Sequence, residues 1–311
     1  MSSRKESLHI PIVDWLFKLL HKIKIPGFEG MNLYDLLEMY ISGIVKGALT
    51  SRAGSIAFSF FIALFPFALV VLTLIPFVPI EGFQDDFMSI VFKMLPSKEA
   101  SDAVSHVLND IANNKYGELL SFGFILAIFL MTNGVNAVFG GFEYSYHIKE
   151  TRNVVRAYLI SLAVSLVMAL FLLVTVALTV FYKIGLDALF EKGWVENELF
   201  WLQIGRGFLF VIMIFTTVSM LYRFGTKTGK HSRFFSPGAV FTTTLSILTF
   251  YLFSYYVTEF AKYNELYGAI GTLLILMLFV WLNAIILLLG FELNASIYSL
   301  RTQNKIKEVV E

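Results

Sequence analysis

Residues 266–291 read LYGAIGTLLILMLFVWLNAIILLLGF, without one charged side chain. A helix rises about 1.5 Å per residue, so a run of this length spans the roughly 30 Å hydrocarbon core of a bilayer with some to spare. Hydrocarbon offers no partner to backbone N–H and C=O groups, which makes the run a transmembrane helix. Ala53–Ile80, Leu119–Phe142, Ala157–Tyr182 and Phe234–Thr258 are equally free of charge. A further run, Leu199–Tyr222, contains Arg206. Near one end of a span, that side chain can snorkel to the headgroups. A membrane barrel would need alternating strands of about ten residues, and no such alternation is present. The expected fold class is therefore all-α, an integral membrane protein with six transmembrane helices.

Composition agrees. Of the 311 residues, 57% are hydrophobic and 15% charged, against about 25% charged in soluble domains. A net charge of +1 supplies no basic field for nucleic acid. The absence of Cys removes disulfides, thiolate metal sites and Cys nucleophiles together.

The regions between the spans divide the chain into three. Residues 1–50 form cytoplasmic or interfacial amphipathic helices, residues 51–295 the six-helix domain, and residues 296–311 a cytoplasmic tail. In residues 12–23, Ile12, Leu16, Leu19, Leu20 and Ile23 share one helical face and Asp14, Lys18, His21 and Lys22 the other. Such a helix can lie on the inner leaflet or against the protein's own face. Asn32 and Asp35 can cap a second short helix ending near Lys46. The long loop 81–118 carries apolar residues at helical spacing, Phe83, Phe87, Ile90 and Met94, then Val104, Val107, Leu108 and Ile111. Two amphipathic helices on the outer face are expected there. Seventeen Lys and Arg flank one side of the six spans and seven the other. The positive-inside rule then places both termini in the cytoplasm.

Enzyme chemistry lacks its parts. The five His (His9, His21, His106, His147 and His231) are scattered outside the spans, and no His-Glu-x-x-His, Gly-x-Ser-x-Gly or Walker loop occurs. No catalytic residue, metal site or cofactor is expected. The informative residues are polar ones inside or bordering apolar helices. Arg52, Ser55 and Ser59 share one side of span one, Asn133 and Asn136 one side of span two, and Asn283 and Asn294 one side of span six, where Glu292 ends the apolar run. Two readings stand: the stripes line a cytoplasm-facing polar cavity on a substrate path, or they join helices to one another. Arg52 and Glu292 lie at the same predicted depth, where pairing would offset the cost of each charge. Pro66, in the middle of span one, removes a helical hydrogen bond and is a candidate hinge. Arg223, Lys227, Lys230 and Arg233 form a basic loop able to contact lipid headgroups.

Three stretches carry a resemblance. Span one reads AFSFFIALFP at 57–66. Span two leads through Asn133-Gly134-Val135-Asn136 to Glu150-Thr151-Arg152. Span six reads LYGAIGT at 266–272, then Trp281-Leu282, then LGFELNA at 289–295. In their order and spacing these resemble the YihY/BrkB family of bacterial inner-membrane proteins, over roughly residues 40–300. Family members often carry Ser where this chain has Ala63. The resemblance implies six transmembrane helices and the bacterial inner membrane. It carries the labels ribonuclease BN and virulence factor, and proposals of lipid or solute transport. A ribonuclease sits badly with a chain lacking clustered metal ligands and an aromatic-basic RNA surface. The function expected is a transporter or flippase of an amphipathic or anionic solute, with membrane lipids as partners and an unknown lipid-like or small-molecule substrate. A scaffold in envelope assembly is the alternative, and the oligomeric state stays open.

Overall fold

The structure, a computed structural model, describes residues 33–74, 117–148, 150–192, 198–227, 229, 233–259 and 261–310. The expected interfacial helix at 12–23 and the helices expected within 81–118 lie outside the described residues. Among those described, the secondary structure is helical throughout: α1 (Leu33–Lys46), α2 (Leu49–Leu74), α3 (Gly117–Glu143), α4 (Val154–Glu191), α5 (Glu198–Phe224), α6 (Pro237–Glu259) and α7 (Ala261–Val310). The protein is an all-α membrane protein. Among the described residues five helices, α3 to α7, are long and apolar enough to cross a bilayer, and the count reaches six where the bent pair α1–α2 is taken as one span.

Helix α1 is the short helix expected before span one. Asp35 in its first turn and Lys46 in its last complement the helix dipole. The chain then turns by 62° into α2. Ala48 takes a positive φ of 46° at the corner, a costly conformation for a residue with a Cβ. Gly47 makes the corner possible, because a Cβ there would lie 2.9 Å from Arg52 Nη2 and closer still to the Gly43 carbonyl. The sharp break in this part of the chain is thus at 47–48. Helix α2 continues from Leu49 to Leu74 through Pro66, so the expected hinge position lies within an unbroken helix.

Several boundaries differ from the sequence reading; α4, for one, runs from Val154 to Glu191, well past Tyr182. Helix α6 begins at Pro237, leaving Phe234, Phe235 and Ser236 outside it. Proline suits a first helical position because its missing N–H would have no partner there, and Ser236 Oγ accepts from the Ala239 N–H at 3.2 Å as the cap. The tail at 296–310 continues α7 as one helix to Val310.

From α2 to α7 each helix packs on its neighbour in sequence, and α7 returns to α2, so the spans close a circuit with α1 lying on α7. The tightest packing is at the end where α2, α4 and α6 begin. There Phe142 of α3 stacks on Phe291 of α7, with centroids 4.2 Å apart and planes 8° from parallel. Its edge meets Tyr222 of α5 at 5.6 Å. Lipid tails are as apolar as these rings, so close van der Waals fit and hydrogen bonds hold such helices together, with no gain from leaving water. Glycines supply the fit. A Cβ on Gly290 of α7 would collide with Thr242 Oγ1, and one on Gly238 of α6 with the Gly290 carbonyl.

Candidate functional site

A buried ion pair joins the first and last spans. Arg52 Nη2 donates to Glu292 Oε1 at 2.7 Å. Glu292 is fully buried and Arg52 is 7% exposed. Arg52 Nη1 donates to the Gly141 carbonyl at 2.8 Å, drawing in the end of α3. The second carboxylate oxygen accepts from Ser145 Oγ at 2.8 Å. Ser145 Oγ also accepts from the His147 N–H at 3.4 Å. The His147 ring bonds the Met39 carbonyl of α1 through Nε2 at 3.1 Å. Gly43 lets α1 lie against this centre: a Cβ there would be 2.8 Å from Glu292 Oε2 and 2.9 Å from His147 Nε2. One carboxylate therefore ties together α1, α2, α7 and the segment after α3. The contact between Arg52 and Glu292 expected from their equal depth is present, whereas Ser145, His147 and Gly43 were not among the residues singled out in the sequence.

A second centre joins α5, α6 and α7. The hydroxyls of Tyr222 and Thr242 share a hydrogen bond of 2.6 Å, and Tyr222 Oη also donates to the Leu287 carbonyl at 2.8 Å. Asn294 completes the start of α6. Its Oδ1 accepts from the Gly238 N–H at 2.8 Å and its Nδ2 donates to Ser236 Oγ at 2.9 Å. Between α3 and α4, Ser161 Oγ donates to Asn136 Oδ1 at 3.3 Å, and Thr132 and Ser165 share a bond of 3.3 Å.

The polar stripes are thus divided in what they do. Arg52, Glu292, Asn136 and Asn294 bond across elements. Asn283 Nδ2 donates to the Phe279 carbonyl of its own helix at 2.9 Å. Ser55 is exposed, and Ser59 and Asn133 are half-buried. In the basic loop, Lys227 meets Glu150 at 3.4 Å as an exposed pair, Arg223 and Arg233 are exposed, and Lys230 lies outside the described residues. The cation that holds this loop is Arg152. It donates to the Phe224 carbonyl at 2.6 Å and the Thr226 carbonyl at 2.5 Å, where a positive charge complements the C-terminal end of α5. Burial pushes the Arg152 guanidinium below its usual range, and the nearby Glu143 charge pulls it back up.

Among the described residues no group of three or more His, Asp or Glu side chains is arranged to hold a metal ion. What the geometry defines is a multi-pass α-helical membrane protein with a paired charge buried between its first and last spans. The family described as Virulence factor BrkB matches residues 41–309, and the chain belongs to that family. A ribonuclease-like protein of Bacillus subtilis, YfkH, is 32% identical over 257 residues, covering 80% of this chain and 90% of that one. A UPF0761 membrane protein of Pseudoalteromonas translucida is 26% identical over 265 residues, covering 83% and 84%. Another, from Aggregatibacter aphrophilus, is 24% identical over 267 residues, covering 84% and 91%. No solved structure matches the chain.

Proposed function

We propose that this protein carries an anionic, lipid-like amphiphile across the bacterial inner membrane, and that the Arg52–Glu292 centre is its closed cytoplasmic gate. The observation that carries the reading is the complete burial of Glu292 against Arg52 in α7 and α2. Charges are costly within a span and mark substrate or ion pathways there by default. Replacing a buried pair by apolar residues is often neutral or stabilising, so stability alone is a weak reason to keep one. Arg52 offers guanidinium N–H donors to a carboxylate, and a phosphate or carboxylate headgroup presents the same acceptors. A headgroup entering from the cytoplasm would compete with Glu292 for Arg52 and part the first and last spans. The excess of Lys and Arg on that side supports a cytoplasmic position for the centre and both termini.

The test is translocation in liposomes. The full chain is reconstituted with a fluorescent anionic phospholipid in both leaflets, and an impermeant reductant is added outside. Transport bleaches the label beyond the outer-leaflet share. A plateau at that share, identical to protein-free liposomes, overturns lipid transport and returns the scaffold reading.

A further inference from the structure

We infer that the middle of the bundle holds an acyl-chain site: an apolar chamber closed at the Arg52 end by Phe142, Tyr222 and Phe291 and open toward the other end, where one hydrocarbon chain of a membrane phospholipid fills it. The site stands without transport, though under the transport reading it is where a chain of the carried lipid would rest.

Helices α2 to α7 close a circuit, so α3, α5 and α7 are its alternate members. Side chains through which these three meet lie toward its middle. Phe142 of α3 is 4.2 Å from Phe291 of α7 and 5.6 Å from Tyr222 of α5, ring centre to ring centre, and Tyr222 is 6.0 Å from Phe291. All three rings are buried. They mark the inward face of each helix at this level.

An α-helix returns to the same side after five full turns, about eighteen residues and about 27 Å of rise. Eighteen residues from each ring toward the other end stand Phe124 on α3, Ile204 on α5 and Leu273 on α7. They are 46%, 47% and 40% exposed. Partway along, Val211 of α5 and Met277 of α7 fall within about 40° of the same faces, and both are exposed as well. On three alternate helices, the face that is sealed at the Arg52 end is therefore open from mid-span onward.

The lining selects the occupant. Phe124, Ile204, Val211, Leu273 and Met277 offer no charge and no N–H or O–H group. Arg206, two residues beyond Ile204, falls on the opposite side of α5. Water in such a space would lack the two to four polar partners that hold it, and an ion would lose its hydration without compensation. Left empty, the space would forfeit the dispersion contacts of the side chains around it. These five positions belong to the apolar runs that cross the hydrocarbon core, where the adjoining phase is acyl chain. An uncharged wall at that depth complements an uncharged chain.

The test places the full chain in liposomes with a phospholipid that carries a photoreactive diazirine near the end of one acyl chain, and maps the cross-links to residues by mass spectrometry. Leu170, exposed on α4 near the middle of its span, reports lipid around the protein. Cross-links are expected at Val211 and Met277 as well as at Leu170. The double variant Ile204→Trp/Leu273→Trp narrows the mouth and should lose the cross-links at Val211 and Met277 while Leu170 keeps its own. Labelling at Leu170 with none at Val211 and Met277 overturns the inference, and that result needs no variant. Undiminished labelling of both positions in the narrowed variant overturns it too, because lipid would then reach them from outside the bundle. In this chain without Cys, Met277→Cys should resist a membrane-impermeant thiol reagent; rapid modification would mean a water-filled chamber and sink the acyl-chain assignment. A labelled chamber with failed translocation removes the transport reading alone, and translocation without chamber labelling removes this inference alone.

Discussion

The two ends of the bundle share the helices α2 to α7 but, among the described residues, are held together differently. At the Arg52 end, Ala53, Val138, Phe142, Ala239 and Leu288 are buried, and hydrogen bonds from Arg52, Ser145, Tyr222, Asn294 and Ser161 cross between elements. At the opposite end the buried apolar residues among those described include Val180, Leu186 and Leu202, on α4 and α5. The polar contact described there is the Tyr182 hydroxyl donating to the Trp201 carbonyl at 2.6 Å. Thr175 and Thr179 donate to carbonyls of their own helix. Large apolar side chains lie exposed at both ends, among them Val154 and Phe235 at the Arg52 end and Phe208 and Leu252 towards the other. The difference follows from the solvent. Apolar side chains lose little by facing lipid, so they need no protein partner, whereas polar groups at the same depth must find one. Among the described residues, the Arg52 end is the one joined by several specific bonds across elements.

The largest effect should come from the ion pair. Removing one partner strands a buried charge, a loss of about 3–5 kcal/mol. Arg52→Ala and Glu292→Ala should each lower stability by that order in detergent unfolding, and the double variant should lose less than the sum of the two. Strict additivity would mean that the two charges are held independently, and the lock would have to lie elsewhere.

The α6–α7 crossing comes next. Gly290→Ala drives a Cβ into Thr242 Oγ1, against the Gly238 carbonyl and the Tyr222 hydroxyl, and overpacking of this kind costs about 1–3 kcal/mol. Gly54→Ala is the matched control, with nothing within 4 Å of the added carbon. There the helix propensity of Ala favours the folded state by up to about 1 kcal/mol. Equal effects at the two glycines would show that close approach does not distinguish this crossing. Smaller again is Asn294→Ala, which frees the Gly238 N–H and the Ser236 hydroxyl at the start of α6. Loss of a helix cap costs about 0.5–2 kcal/mol. Increased hydrogen exchange confined to the first turn of α6 would locate it.

The sequence made the helices legible because hydrocarbon permits so few alternatives. An uncharged run long enough to cross can only be a helix, and such runs begin and end where charges allow. The candidate centre was legible in part. Depth in the bilayer put Arg52 and Glu292 at one level although 240 positions separate them in the chain. Ser145 and His147 were not legible, because they sit in a short segment between spans whose path is set by tertiary contacts. Gly43 was hidden for the same reason, since its value lies in what approaches it from other elements. Pro66 was conspicuous as a residue that removes a donor, yet the corner falls at Gly47-Ala48, where a positive φ and the return of α1 toward Glu292 are needed. Polarity reads out burial cost in a membrane sequence, but it leaves open which polar groups face each other.

The smallest effect should fall on the apolar stripe of α4. Leu159, Leu166, Leu170, Val174, Leu178 and Phe181 are all exposed and recur at intervals of three, four and seven residues, which puts them on one helical face. In a bilayer that face meets acyl chains in the folded protein and in separated helices alike. Truncating Leu170 removes side-chain atoms that have lipid as their partner in both states. Leu170→Ala should therefore change stability by less than about 0.5 kcal/mol, as at a surface position away from special contacts. Phe142→Ala, at a fully buried ring in the locked end, should cost about 3–5 kcal/mol by loss of packing. A loss at Leu170 as large as that at Phe142 would mean that the stripe packs against protein, as in a self-associated bundle. Cross-linking through Leu170→Cys in liposomes then separates the cases: dimers formed at this position would place a second copy of the chain on the stripe, and their absence would leave it to lipid.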